Sequence, residues 1–213
     1  LLIICFLLGG IVYGQDDLYF ETMKNTLSEM DKAEGMENMQ LVANKFERIA
    51  SAEKDKWLPH YYASYIYILM SYYEEDNKTK DLYLDKAENH LEMALNHNEE
   101  ESEIYALKGM LEQSRIQVDP ATRGMIYSQK ASKALEKAEK LNPDNPRIFN
   151  IKAMGVMYTP EMFGGGMEKA CPIFEIANQK FEIYKPSSEI APNWGKEINN
   201  ENYLKCSNPE QKK

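Results

Sequence analysis

Three stretches of the chain share one spacing of small, large and small apolar positions. Lys86-Ala87, Leu91-Glu92 and Ala94 recur as Lys130-Ala131, Leu135-Glu136 and Ala138, and again as Lys169-Ala170, Phe174-Glu175 and Ala177. A weaker fourth copy runs through Val42, Phe46-Glu47 and Ile49. Steps of four and then three residues place these positions on one stripe of an α-helix. Small side chains at the two ends of the stripe let a neighbouring helix approach, and the large one fills the gap between them. Upstream lies a second helical pattern: Ile104-Tyr105-Ala106-Leu107-Lys108-Gly109-Met110 is echoed 44 residues later by Ile148-Phe149-Asn150-Ile151-Lys152-Ala153-Met154, and Tyr61 stands 44 residues before Tyr105. Each unit is therefore a helix, a connection and a second helix, and such self-similarity predicts stacked helical hairpins. The predicted helices are 17–33, 36–54, 57–75, 79–97, 102–115, 124–141, 146–158 and 168–184, with a short polar helix after Pro192-Asn193.

The second helices, together with Leu141-Asn142-Pro143-Asp144-Asn145-Pro146, resemble tetratricopeptide repeats over residues 36 to 183. Repeats of that family run 34 residues, whereas two units here span 44, and the additional residues fall mainly between helices, as in Arg115 to Gly124 with its Asp119-Pro120 break. A narrower stretch, Thr159 to Ala170, is similar to exported bacterial tetratricopeptide-like proteins. The resemblance implies an all-α, right-handed superhelix of about four hairpins with an inner groove and no catalytic chemistry. Carried over position by position, the first helices would line that groove with Tyr62, Ile66 and Leu69, then Ala106, Met110 and Gln113, then Asn150, Met154 and Met157. Rigid Tyr and adaptable Met suit contact with a peptide or helix, so a non-catalytic protein- or peptide-binding scaffold is the first expectation. The same positions also suit inter-repeat core, and both readings stand. A glycan or small-ligand module is the alternative, and a metal-dependent or hydrolytic enzyme the third.

Composition narrows the field. Lys and Arg total 25 against 34 Asp and Glu, giving a net charge of −9, which makes the chain a poor partner for polyphosphates such as nucleic acid. Apolar residues at 43% supply a core, and beyond the N-terminus no long apolar run occurs. The opening run LLIICFLLGGIVY is too short for a spanning helix, and Val12 and Gly14 suit a signal-peptidase site, so cleavage is expected after Gly14. An uncleaved anchor is the alternative. The expected organisation is a signal segment at 1–14, a helical repeat domain at 15–185 and a C-terminal cap with a polar tail at 186–213, in a periplasmic or secreted protein. Terminal repeats need a cap, and Trp194 is the residue expected over the last hairpin. In an oxidising compartment Cys171 and Cys206 could pair, or Cys171 could be buried and Cys206 free.

Other chemistry finds no support. Gly164-Gly165-Gly166 precedes a helix, but Met167-Glu168 follow where a phosphate loop needs Lys and a hydroxyl, so a tight inter-helix connection is expected. His60, His90 and His97 have no metal-binding spacing and are read as solvated or cap-adjacent. No nucleophile motif is present, and neither cofactor nor metal is expected.

Overall fold

The computed structural model describes residues 9–207. Among them are nine α-helices and no strand: α1 (Gly9–Met30), α2 (Gly35–Ala52), α3 (Leu58–Tyr73), α4 (Asn77–His97), α5 (Ser102–Ile116), α6 (Pro120–Leu141), α7 (Pro146–Tyr158), α8 (Met167–Ile183) and α9 (Lys196–Ser207), with one 3-10 turn at Glu161–Phe163. The apolar segment expected to be an export signal, with its cleavage after Gly14, lies largely outside the described residues; α1 starts within it at Gly9. The tail beyond Ser207 lies outside them as well.

Local chemistry explains the helix starts. Asp76 accepts from the Thr79 N–H at 2.8 Å to open α4, and Asn145 accepts from the Arg147 N–H at 3.0 Å to open α7. Each satisfies an orphan donor of the first turn. The Asp119-Pro120 pair, expected to break the chain before a helix at 124, instead begins α6: Asp119 accepts from the Thr122 N–H at 3.3 Å, and Pro120, which has no N–H to lose, takes the first helical position.

Helices α1–α2, α3–α4, α5–α6 and α7–α8 form four hairpins, each packed on the next. The repeated stripe is their core. Ala87, Leu91 and Ala94, Ala131, Leu135 and Ala138, Ala170, Phe174 and Ala177, and Val42, Phe46 and Ile49 are all buried. Burying a side chain the size of Leu or Phe contributes about 1.5–3 kcal/mol. Close approach is visible at Gly109, where a Cβ would stand 2.6 Å from Leu135. Asn145 donates to Ser102 Oγ at 3.2 Å, and Ser102 donates to the Ala138 carbonyl at 3.0 Å, which ties the starts of α7 and α5 to the end of α6.

The last hairpin is covered by α9, packed on α8. Asn199 donates to the Phe174 carbonyl at 3.3 Å, and Cys171 and Cys206 are joined in a disulfide with Cα atoms 5.6 Å apart. Trp194 is not placed over that hairpin alone, as expected. It reaches back to α3, because the segment between α8 and α9 runs along the inner face of the stack.

Candidate functional site

The inner face is made by the first helices α3, α5 and α7, and it is divided. Their N-terminal halves bind the chain's own strap, the non-helical residues 184–195. Tyr62 donates to the Ile190 carbonyl at 2.9 Å, the Trp194 indole N–H donates to Tyr61 at 2.9 Å, and the Trp194 ring stacks on Tyr65 with centroids 4.6 Å apart. Across from them Arg147, whose side chain is 0% exposed, forms a two-pronged ion pair with Glu103 and donates to the Trp194 carbonyl at 3.4 Å. The Arg147 guanidinium also lies 4.5 Å from the Tyr184 ring centre. Burial alone would push the guanidinium down, but hydrogen bonds and charge from Glu103 outweigh it and hold Arg147 above its ordinary value. Burial likewise pushes the Tyr61, Tyr62 and Tyr65 hydroxyls well up, so they act as neutral donors and acceptors.

Burial splits the expected groove row. Tyr62, Ile66, Ala106 and Asn150 are buried, and Gly195 sits against Asn150 and Phe181. Leu69, Met110, Gln113, Met154 and Met157 remain partly exposed. These five lie in the C-terminal halves of α3, α5 and α7, beyond the strap's contacts. Gln113 donates to the Ile151 carbonyl at 3.1 Å and holds α5 to α7, while Met154 meets the Asn202 amide at 3.5 Å.

Two tyrosines missing from the expected row adjoin it. Tyr72 is 40% exposed through its ring, while its hydroxyl turns inward to Ser114 at 2.8 Å. Burial of that hydroxyl pushes it up to about 12, with the Ser114 hydrogen bond opposing and nearby Tyr158 adding to the rise. Tyr158, at the end of α7, is 75% exposed. Helical spacing signals both, since Tyr72 follows Leu69 by three positions and Tyr158 follows Met154 by four. The open half of the groove is the part beyond the strap's hydrogen bonds, where Leu69, Met110, Met154 and Met157 are half-buried against the apolar clusters and Tyr72 and Tyr158 are exposed. Met162 and Phe163 are exposed on the turn that follows α7. The glycines after them make a tight connection: Gly164 and Gly166 have φ of 84° and 98°, and a Cβ on Gly165 would meet the Thr159 carbonyl oxygen at 2.0 Å.

The histidines, expected to be solvated or cap-adjacent, gather in one place. His60 of α3 is 8% exposed, its Nδ1 is 3.1 Å from His90 Nδ1, and its ring stacks on His97 with centroids 5.9 Å apart. On the far side His90 Nε2 meets Glu47 at 3.3 Å, and Glu47 accepts from the Tyr67 hydroxyl at 2.7 Å. Burial, and then the charges of His90 and His97, lower His60 to about 4. Glu47, Ala50, Ser51, Lys54, His60, His90 and Met93 line a cavity of about 500 Å³. Among the described residues, no group of three or more His, Cys, Asp or Glu is arranged to hold a metal ion. The seven-residue spacing of His90 and His97 signals a shared helix face; His60, on another helix, gives no local signal.

The paired helices define an all-α protein of stacked hairpins. The structure of the HusA haemophore from Porphyromonas gingivalis is similar to it with a TM-score of 0.78 and 30% sequence identity, over 88% of this chain and 92% of that one. The chain belongs to the family of that haemophore. No protein-family model matches the chain, and neither does any curated protein. No helix among the described residues is long and apolar enough to cross a membrane.

Proposed function

We propose that the protein is an exported, non-catalytic carrier of a haem-class tetrapyrrole, held as cargo in the open half of the groove by Leu69, Tyr72, Met110, Met154, Met157 and Tyr158. The observation that carries this reading is the divided inner face. The strap occupies the half that would accept an extended peptide, and what stays accessible is an apolar and aromatic patch suited to a flat macrocycle. Kinship with a haemophore supports the cargo class. The histidines lie in a separate cavity between α2, α3 and α4, so the contacts offered here come from Leu, Met and Tyr. A peptide partner is the less favoured reading, because Tyr62 and Arg147 already hold carbonyls of the strap.

Titration of the protein with haemin, followed by absorbance, tests the reading. Met157→Asp and Tyr158→Ala should each weaken binding by about tenfold or more, the equivalent of about 1.4 kcal/mol. Met93→Ala, at the histidine cavity, should leave it unchanged. Saturable binding that ignores the first two substitutions would place the cargo elsewhere.

A further inference from the structure

With both rings neutral, the His60–His90 contact admits one proton arrangement. His90 Nε2 faces the Glu47 carboxylate at 3.3 Å and so carries its hydrogen, which leaves His90 Nδ1 as a bare acceptor. The 3.1 Å contact between the two Nδ1 atoms then holds only while His60 donates into it. A proton added to His90 turns its Nδ1 into a donor, and the contact then survives only if His60 moves its own hydrogen to Nε2 and accepts. A proton added to His60 leaves the contact but creates a charge on a buried ring, with the His90 and His97 rings 5.4 and 5.9 Å away.

The groups facing His60 are few. From α2 come Glu47 and Lys54, and from α4 come His90 and His97; Tyr67, farther along α3, reaches Glu47. Glu47 is the one carboxylate among them and it is already shared by His90 and Tyr67. The three imidazoles therefore cannot all charge without repelling one another. The helix they restrain matters: α3 holds His60 near its start and, two to three turns later, presents Leu69 and Tyr72 to the open groove.

We propose that Glu47, His60, His90 and His97 form a pH-sensitive latch which fixes α3 against α2 and α4 near neutral pH and, on acidification, loosens α3 and releases cargo from the groove. The link to cargo rests on the carrier reading above; the latch itself does not. The sign follows from linkage. His60 is harder to protonate in the closed arrangement, at about 4, than in an opened chain, at its ordinary 6.5. The latch is therefore fully engaged above pH 6.5 and is lost as pH falls toward 4.

Two readouts on the full chain, at pH 7.5 and pH 5.5, test it. In cargo-free protein, amide-exchange protection of α3, corrected for the intrinsic rate, should fall about tenfold or more at the lower pH. It should change less than threefold in the His60→Gln, His97→Gln double variant. Haemin affinity should fall by a similar factor in the parent protein and less in the variant. Equal losses of protection in both proteins would overturn the latch, and equal losses of affinity would overturn its coupling to the groove. If haemin fails to bind at pH 7.5, the carrier reading fails and α3 protection alone decides the latch. Should the double variant not fold, His97→Gln at its exposed position serves instead, with an effect between the two.

Discussion

Arg147 and Glu103 are the most exacting test of how this fold is held. The Arg147 side chain is 0% exposed and that of Glu103 9%, and the Arg147 Nε donates to Glu103 Oε2 at 2.6 Å while a second prong reaches the other oxygen. Removing one member of such a pair leaves the other as an uncompensated buried charge, which costs about 3–5 kcal/mol. Glu103→Gln keeps the shape and one acceptor, so a loss near the lower end, about 3 kcal/mol, is expected. Against a whole-protein stability of about 5–15 kcal/mol this is a large fraction. Replacing both partners, as Glu103→Leu with Arg147→Met, removes both charges, and the double variant should recover at least about 2 kcal/mol relative to the sum of the single losses. Urea denaturation of the parent, Glu103→Gln, the two single replacements and the double variant at pH 7.5, followed by far-ultraviolet circular dichroism, measures each term. A loss under about 1 kcal/mol for Glu103→Gln, or simple additivity in the double variant, would refute the claim that a desolvated pair anchors the strap.

Three further outcomes follow from other contacts. Trp194→Ala should cost about 2–3 kcal/mol, below the usual range for a fully buried Trp because the residue is only partly enclosed, and should leave the Tyr61 hydroxyl without its donor; urea midpoints report the loss. Gly165→Ala forces a Cβ onto the Thr159 backbone and should lower stability by about 3 kcal/mol, whereas Gly124→Ala, in open helical space, should raise it by about 0.5–1 kcal/mol, so thermal melts of the pair separate crowding from helix propensity. Replacing Cys171 and Cys206 by Ser releases a cross-link between positions 35 apart and should cost about 3–4 kcal/mol on the chain-entropy account, read from the same melts against the oxidised parent.

What the sequence made legible is what repeats. The small-large-small stripe marks the buried face of α2, α4, α6 and α8 because each copy solves the same packing problem, and periodicity reports such faces directly. The strap has no period. Its Pro, Ser and Asn residues suggest a connection, and nothing in their order says that Tyr62 would donate to Ile190 across 128 positions. The groove row taken from the family resemblance shows the same limit, since Leu69 and Ile66 are equivalent in pattern, yet Ile66 is buried and Leu69 only half-buried. The histidines teach a related lesson. Spacing joins His90 to His97 along one helix, but His60 enters from α3 through the hairpin's geometry, and only packing brings the three rings together.

The strap also changes how the molecule should come apart. Stacked hairpins that touch only their neighbours unfold as a one-dimensional array, fraying from the ends. Here Glu189 pairs with Lys24 of α1 at 2.9 Å, Ile190 belongs to the apolar cluster that joins the first two hairpins to α5, and Trp194 bonds to Tyr61 across 133 positions. The segment that follows α8 thus closes a circuit with α1 and α3. The protein should melt as one cooperative unit and fold more slowly than an open array of the same length, because contacts across 128 and 133 positions carry a large loop-closure cost.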